Sequence, residues 1–376
     1  MAAYHQSTGV SGVSNPSPRP ELAELAPYQQ GKCELSECPE PIKLSSNESH
    51  LGPSPLAIAA FRNAAGILQN YPDGSQTALR RAIAAAFGLS VDKIVCGNGS
   101  DELLQLLIRA YVRTGDEVVF SRYSFTMAMV HAVAQGARRI VADEPRLRPD
   151  TDCLLAAVTA RTRMVFLASP NNPVGQYLPK AELARLRRAL PAQVLLVLDG
   201  AYADYVTADD YEDGSALVDA GSNVVMTRTF SKLYGLAGLR IGWAYMPSTV
   251  LDWVQRIRTP FNASAGAMAA AAAAVGDLAY RNYVRDYNAR EMQRIRVTVT
   301  EGMPGIEFVP SVANFYLLRF TDGRHTAAGA AAALEHNGII PRPVDAGGPE
   351  NCLRITVGLD HENDAVLAAL AGYVKS

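Results

Sequence analysis

The chain of 376 residues has few cysteines, almost no net charge and no long apolar segment. Its five cysteines are scattered, which argues against a disulfide framework and predicts reduced thiols in a cytoplasmic protein. The formal net charge of -2 lacks the basic excess of a nucleic-acid binder. Residues 1–20 contain no secretory signal, and the apolar run 263–275 is too short for a membrane helix. The sequence therefore predicts neither a nucleic-acid partner nor a membrane partner.

Metal-binding patterns are missing as well. The six histidines form no HxxxH or HExxH pair, and Cys33 and Cys38 lack the CxxC spacing. We therefore predict no metal site. The composition, with 48% hydrophobic and 19% charged residues, excludes an intrinsically disordered chain and indicates one that builds a large core.

Three regions follow one another along the chain. Residues 1–44 are rich in proline, serine and glycine and are predicted to form an N-terminal arm. In residues 45–262, short β-rich runs alternate with amphipathic helices, including one over 75–88 with Ser75 as its cap. This alternation predicts a large α/β domain of three layers, with a mostly parallel sheet and helices on both faces. Residues 263–376 predict a smaller α/β domain.

Polar residues stand directly after four of the predicted strands. They are Ser100, Asp101, Asn171, Asn172, Asp199, Ser231 and Lys232. In open α/β sheets the ligand lies beyond the carboxyl ends of the strands. We therefore expect these side chains to converge on one site.

The chemistry of this set points to a carbonyl cofactor that carries a phosphate. A lysine such as Lys232 can form an imine if burial or a neighbouring cation lowers its pKa, and Arg240 could be that cation as well as a phosphate ligand. Asp199 needs a cationic partner if it is buried, which a protonated pyridine nitrogen would supply. The loop GNGSDE opens a helix, where free N–H groups favour a phosphate, although such loops also serve as plain helix caps.

Six motifs occur in order: YPDG (71–74), GNGSDE (97–102), SPNNPVG (169–175), DGAYADY (199–205), TFSKLYGLAGLRIGW (229–243) and CLRITVG (352–358). The set resembles the fold-type-I pyridoxal-phosphate aminotransferases. More narrowly, it is similar to the histidinol-phosphate aminotransferases and to the aromatic amino-acid aminotransferases of bacteria. The resemblance extends from about Arg19 to the C-terminus. It implies transfer of an amino group between glutamate and a keto acceptor, with imidazole acetol phosphate, in histidine biosynthesis, as the favoured acceptor.

The resemblance implies a role for each matching residue. Lys232 would bind the cofactor and move the proton, Asp199 would pair with the ring nitrogen, and Tyr202 would bind the phenolic oxygen together with Asn172. Tyr123 would stack on the ring. The cofactor phosphate would be bound by Gly99, Ser100, Asp101, Ser231, Arg240 and, from the neighbouring subunit, Tyr71. This implies a homodimer with shared active sites, in which the arm packs with the small domain and the partner subunit.

The substrate contacts implied by the resemblance are Tyr28, Asn47, Arg342 and Arg354. Two neighbouring arginines suit a dianionic phosphate, because each guanidinium can donate two hydrogen bonds. The chain departs from the family pattern at three places: Ser49-His50 replace Asn-Pro, Gly200 replaces an acidic residue, and Gly347 stands where an aromatic residue is common.

Three other functions remain open from the residues. The acceptor could be an aromatic 2-keto acid or an intermediate of specialised metabolism. The same cofactor could serve a decarboxylase or lyase. The chain could also be a non-catalytic module that binds the cofactor, although the presence of both Lys232 and Asp199 argues against this.

Overall fold

The computed structural model describes residues 16–28, 30–36, 38–344 and 347–375. The helices are α1 (Pro55–Ala64), α2 (Thr77–Phe87), α3 (Gly99–Tyr111), α4 (Thr126–Ala134), α5 (Thr151–Ala156), α6 (Lys180–Ala189), α7 (Ser215–Ala220), α8 (Ser248–Ile257), α9 (Ala265–Gly276), α10 (Leu278–Gly302), α11 (Ala327–His336) and α12 (Asp360–Lys375). The strands are β1 (Ile42–Lys43), β2 (Ile94–Gly97), β3 (Glu117–Ser121), β4 (Arg138–Ala142), β5 (Thr162–Ala168), β6 (Leu195–Asp199), β7 (Val224–Thr229), β8 (Gly242–Tyr245), β9 (Ile306–Val309), β10 (Phe315–Phe320), β11 (Ile339–Ile340), β12 (Arg342–Pro343) and β13 (Cys352–Thr356). Within these described ranges, no helix is both long and apolar enough to cross a membrane.

A seven-stranded sheet with the order β2-β8-β7-β6-β5-β3-β4 forms the centre of the molecule. Strand β8 runs antiparallel to both of its neighbours, and the other neighbouring pairs are parallel. Strand β5 has apolar residues on both faces: Val165 and Leu167 join one core, while Met164 and Phe166 join the other. The first core includes α2, α6 and α9, and the second includes α3, α4 and α8. The predicted three-layer α/β fold with a mostly parallel sheet is thus confirmed.

A second sheet near the C-terminus has the order β12-β13-β10-β9 and is antiparallel throughout. It packs with α10, α11 and α12 around a core that includes Ile295, Tyr316, Leu334 and Leu370. The end of the N-terminal arm joins this part of the chain, because β1 pairs in parallel with β11 and Leu44 is buried in the same core. The boundaries 1–44, 45–262 and 263–376 themselves stay a prediction.

The start of α2 differs from the prediction. Ser75 does not cap the helix; instead the carboxylate of Asp73 accepts hydrogen bonds from the backbone N–H groups of Ser75 and Thr77, at 2.9 and 2.8 Å. Gln76 occupies the N-cap position with a left-handed backbone. Aspartate and serine are both good capping residues, so the chemistry was right and the position was wrong by two residues. At the other end, Gly88 is left-handed, as a C-terminal glycine commonly is.

Candidate active site

A cavity of about 370 Å³ lies at the carboxyl ends of the parallel strands. Because β5, β6 and β7 run in one direction, the residues that follow them meet at the same edge of the sheet. The sequence-predicted residues that line the cavity are Tyr28, Asn47, Ser100, Asp101, Asn172, Asp199, Tyr202, Ser231, Lys232, Arg240, Arg342 and Arg354. Six of the seven strand-end residues therefore lie together at this cavity, and the seventh, Asn171, does not line it.

Lys232 lies three residues after β7, and its ammonium group faces this cavity. Its Nζ donates a hydrogen bond to the carbonyl of Ser46 at 3.2 Å and lies 5.7 Å from the ring centre of Tyr202. Removal from water lowers the pKa of Lys232 to about 8, and the charge of Arg354 contributes in the same direction. A lysine with this pKa is still mostly protonated at neutral pH, but its unprotonated, nucleophilic fraction is far larger than that of an ordinary lysine.

Asp199 ends β6 and is 5% exposed. Its Oδ1 accepts a hydrogen bond from Thr227 Oγ1 at 2.9 Å. Burial raises the pKa of Asp199 to about 6, so its hydrogen bonds do not compensate for the loss of water. Among the described residues no cation lies within ion-pair distance of this carboxylate. Because Asp199 lines the cavity, a cationic atom of a ligand bound there would supply the missing partner.

The opposite requirement, an anion, is met where α3 begins. Ser100 and Asp101 are in the first turn of this 13-residue helix, whose free N–H groups favour a phosphate. The guanidinium of Arg240 donates to Ser231 Oγ at 3.3 Å. Gly99 has a φ of +80°, and a Cβ at this position would lie 2.6 Å from Arg240 Nη2. Glycine is needed here so that the arginine can reach the helix end.

Tyr202 and Asn47 meet on another side of the cavity. Asn47 Nδ2 donates to the Tyr202 hydroxyl at 3.0 Å, and the backbone N–H of Asn47 donates to Thr356 Oγ1 at 3.0 Å. Asn47 has a φ of +59°, a left-handed conformation that asparagine tolerates better than most residues. Burial raises the pKa of Tyr202, so its hydroxyl stays protonated and can donate a hydrogen bond.

Arg354 is 7% exposed and lies in β13 opposite Arg342 of β12. It donates to Asn172 Oδ1 and to the carbonyl of Ser45, both at 2.5 Å. Its Nε is buried and has no hydrogen-bond partner among the described residues. Burial lowers the pKa of Arg354 to about 10, which leaves it charged at neutral pH. Two arginines on paired strands thus give the cavity a second cationic end.

Three predicted cofactor residues do not line the cavity. Gly99 lies against the guanidinium of Arg240. Tyr71 is 82% exposed and stacks on Phe261 with ring centres 4.6 Å apart. Tyr123 packs beside a small apolar cluster around Val174 instead of facing the cavity. The cavity geometry therefore does not support the predicted contact between Tyr123 and the cofactor ring.

The cavity also contains residues that the sequence analysis missed. Phe125 lines it, two residues after Tyr123, and both belong to the aromatic-rich turn that follows β3. Glu48 and Ser46 line it as well, next to Asn47. The departure at Ser49-His50 drew attention to this segment, but a sequence pattern does not reveal which backbone carbonyl or carboxylate faces inward.

The three departures from the family pattern lie in different surroundings. His50 lies outside the cavity lining, and its Nδ1 pairs with Glu362 at 2.7 Å, near the start of α12. A Cβ at Gly200 would lie 3.1 Å from the carbonyl of Thr227, so this position is tightly packed. Gly347 lines the cavity with a φ of +89°.

The arrangement fits pyridoxal phosphate. It offers an amine of lowered pKa at Lys232, a buried carboxylate without a cation at Asp199, and an anion site where Gly99 allows Arg240 to approach α3. A pyridinium nitrogen, an aldehyde and a phosphate on one molecule match these three groups. The fold and the site together define a pyridoxal-phosphate enzyme of fold type I.

Comparisons with known proteins agree with this class. The profile of the family "Aminotransferase class I and II" matches residues 39–370. A histidinol-phosphate aminotransferase of Paramagnetospirillum magneticum is 48% identical and covers 96% of this chain and 99% of its own length, and one of Rhodospirillum centenum is 47% identical and covers 96% and 100%. The crystal structure of histidinol-phosphate aminotransferase from Sinorhizobium meliloti in complex with pyridoxal-5'-phosphate is 31% identical, covers 95% of this chain and 97% of that one, and superposes with a TM-score of 0.83. The chain therefore belongs to the class I and II aminotransferases.

Proposed function

We propose that this aminotransferase moves an amino group between glutamate and imidazole acetol phosphate, the keto partner of histidinol phosphate. The observation that carries the acceptor is the pairing of Arg342 and Arg354 across β12 and β13, with both side chains at the cavity. Two guanidinium groups suit the phosphate of such a substrate better than the single carboxylate of a simple keto acid. The names of relatives at 47–48% identity support the same choice.

The cofactor supplies an electron-withdrawing ring that lets the amino group pass from one substrate to another. Lys232 Nζ, with its pKa lowered to about 8, would take the proton from the Cα of the amino donor and give it to the cofactor; in the other half-reaction it would move a proton from the cofactor to the Cα of the acceptor. Asp199 would keep a positive charge on the ring nitrogen, since this pairing offsets the burial of its own carboxylate. The Tyr202 hydroxyl and Asn172 would orient the ring through its phenolic oxygen.

The remaining contacts follow from the same geometry. We propose that Ser100, Asp101, Ser231 and Arg240 bind the cofactor phosphate at the start of α3, and that Tyr28, Asn47, Arg342 and Arg354 face the substrate. For the ring face we propose Phe125 in place of Tyr123, because only Phe125 lines the cavity.

An acceptor panel with glutamate as the fixed donor tests the substrate. We expect kcat/KM for imidazole acetol phosphate to exceed that for an aromatic 2-keto acid, and no activity on the phosphorylated acceptor would refute the choice. Arg342→Gln is the matched variant, because it removes one cation and leaves Lys232 and Asp199 in place. It should lower kcat/KM more for the phosphorylated acceptor than for the aromatic one. Mixing the enzyme with glutamate alone should accumulate the amino form of the cofactor, which a pure decarboxylase would not do.

We also propose that the working unit is a homodimer with shared active sites. Large apolar side chains are exposed on and near α1 and α8, among them Leu68, Tyr71, Trp253 and Phe261, which suits a protein interface. Tyr71, which the protomer's own cavity does not use, would reach the cofactor phosphate of the partner subunit. The arm, 1–44, would pack with the small domain, 263–376, and with the partner, and the large domain would span 45–262. The free cysteines suit a cytoplasmic location.

Subunit complementation tests the shared site. Lys232→Ala and Tyr71→Ala are each inactivating on this proposal, yet a mixed dimer contains one site with both wild-type residues. After subunit exchange, an equal mixture should recover about a quarter of wild-type activity, because half the dimers are mixed and each has one intact site of two. Recovery no greater than the sum of the unmixed variants, after exchange is verified with tagged subunits, would refute the shared site.

A further inference from the structure

Glu144 is a buried carboxylate that lies just behind the active-site cavity without lining it. It follows β4 and is 5% exposed. Its Oε1 accepts hydrogen bonds from the hydroxyl of Ser121 and from the backbone N–H of Tyr123, the latter at 3.1 Å. Its Oε2 accepts one from Asn171 Nδ2 at 3.0 Å. One side chain therefore joins the ends of three neighbouring strands, β4, β3 and β5.

The first loop held in this way is the one that follows β5. Asn171 closes the loop on itself, since its Oδ1 accepts from the N–H of Gln176 at 2.9 Å and its carbonyl accepts from the N–H of Gly175 at 2.9 Å. The next residue, Asn172, lines the cavity and accepts a hydrogen bond from Arg354. A displacement of Asn171 would therefore be transmitted directly to Asn172.

The second loop is the one that follows β3. The N–H of Tyr123 is bound by Glu144, and Phe125, two residues on, lines the cavity. Phe125 also occupies the N-cap position of α4, where it makes no side-chain capping bond. The entry to α4 thus lacks the usual side-chain cap, and the turn is held by the bond to Glu144 and by a weaker one from Asn171 Nδ2 to the carbonyl of Tyr123 at 3.4 Å.

The buried carboxyl group of Glu144 does not stabilise the folded protein. Burial raises its pKa to about 7 even though three donors oppose the shift. The charged group facing it is Arg122, which is paired with Asp143 on the exposed side, and the phenol of Tyr123 is the other titratable neighbour. Burying a carboxyl group whose ionised form is disfavoured costs free energy of folding. Glu144 therefore contributes the positions of its hydrogen-bond acceptors and not stability.

We propose that Glu144 is a positioning residue that fixes the loop carrying Phe125 relative to the loop carrying Asn172. The proposal rests on the proposed roles of these two residues toward the cofactor. Glu144 does not line the cavity and acts through the N–H of Tyr123 and the amide of Asn171. Its removal should loosen both contacts together, because the two loops share one carboxylate.

Glu144→Gln tests this proposal, with Glu117→Gln as the matched control. Glu117 is buried at the opposite end of β3, where it bonds Thr159 and Arg161 at 2.5 and 2.6 Å, far from the cavity lining. The measurements are the Kd of pyridoxal phosphate for the apoenzyme, the visible circular dichroism of the bound cofactor, the melting temperature of the apoenzyme, and kcat and KM separately. Glutamine has the same shape as glutamate, but one of its two terminal atoms is an NH2 donor. Both oxygens of Glu144 accept hydrogen bonds, so glutamine must lose at least one of them.

We expect Glu144→Gln to raise the Kd at least tenfold and to alter the circular dichroism, because a tenfold change corresponds to the loss of about one hydrogen bond that orients these loops. Its apoenzyme should melt no lower than that of Glu117→Gln, which should keep the wild-type Kd. A Kd for Glu144→Gln less than tenfold above wild type, or an equal rise in the control, would overturn the proposal.

Asn171→Ala provides a second route if the first variant does not fold. It should raise the Kd at least tenfold by itself, and a smaller rise would overturn the proposal. Where both variants fold, the rise in Kd for the double variant should be clearly smaller than the product of the two single rises, because both changes break the same link. A rise equal to that product would contradict the proposal. The Kd is measured without any acceptor, so failure of the proposed acceptor and failure of this proposal give different results.

Discussion

Asp199→Asn should make the apoenzyme more stable while it destroys the activity. Burial raises the pKa of Asp199 from 3.8 to about 6, and at about 1.36 kcal/mol per pKa unit the ionised form costs about 3 kcal/mol in the folded state. Asparagine keeps the acceptor for Thr227 Oγ1 but loses one hydrogen bond from a backbone N–H, which costs about 1 kcal/mol. The net stabilisation expected above pH 7 is therefore about 2 kcal/mol.

The pH dependence has a definite sign. Because the folded pKa lies above the unfolded one, the wild-type protein binds the extra proton when folded and loses this stability as the pH rises from about 4 to about 6. The stabilisation by Asp199→Asn should thus be full at pH 8 and should disappear near pH 4. Adding the cofactor should reverse the order, since a cationic ring nitrogen pairs with aspartate and not with asparagine.

Thermal and urea unfolding of the apoenzymes at pH 8 and pH 5 measure these differences. Asp213→Asn is the opposite control: although burial alone would raise the pKa of Asp213, the charge of Arg228 lowers it, so this substitution should destabilise at pH 8. An Asp199→Asn apoenzyme less stable than wild type at pH 8, or an equally active holoenzyme, would refute the reasoning that Asp199 awaits a cation.

Three further substitutions test the proposed roles. Lys232→Ala should abolish turnover and the visible absorption band of the lysine-bound cofactor, and an unchanged spectrum would remove Lys232 from its role. Arg354→Lys should lower kcat/KM about 100-fold, because lysine cannot replace the two buried guanidinium hydrogen bonds; normal steady-state kinetics would exclude Arg354 from the site. Phe125→Leu should raise the Kd of pyridoxal phosphate about tenfold, a loss of about 1.4 kcal/mol, while Tyr123→Leu should change it much less; the reverse order would restore Tyr123 as the ring contact.

The chemistry of the strand ends was predictable from the sequence because it depends on chain order and residue type. A run of apolar β-formers followed by Asp199 or by Ser231-Lys232 places these residues at the edge of a parallel sheet wherever the helices lie. The same pattern gave the three-layer fold, because strands such as β5 are apolar on both faces. Neither inference required a distance between remote residues.

The sequence did not reveal which way the side chains of a turn point, or which remote residues meet. Tyr123 and Phe125 are both aromatic and lie in one turn, and only the path of the chain after β3 turns Phe125 into the cavity. Ser75 and Asp73 could both cap α2, and the turn before the helix selects Asp73. His50 stands where the family has proline, and its contact with Glu362, more than 300 residues away, required the folded chain.

The sequence alone thus determined the fold class and placed Asp199 and Lys232 after strands of the sheet, since periodicity and residue order are local properties. The tertiary structure decided which aromatic ring reaches the cavity, that Arg342 lies opposite Arg354, and that Glu144 links two loops. It also decided the pKa values of Lys232 and Asp199, because burial and neighbouring charge exist only after folding. The local pattern places the candidate residues at the strand ends, and tertiary packing sets their geometry and their protonation.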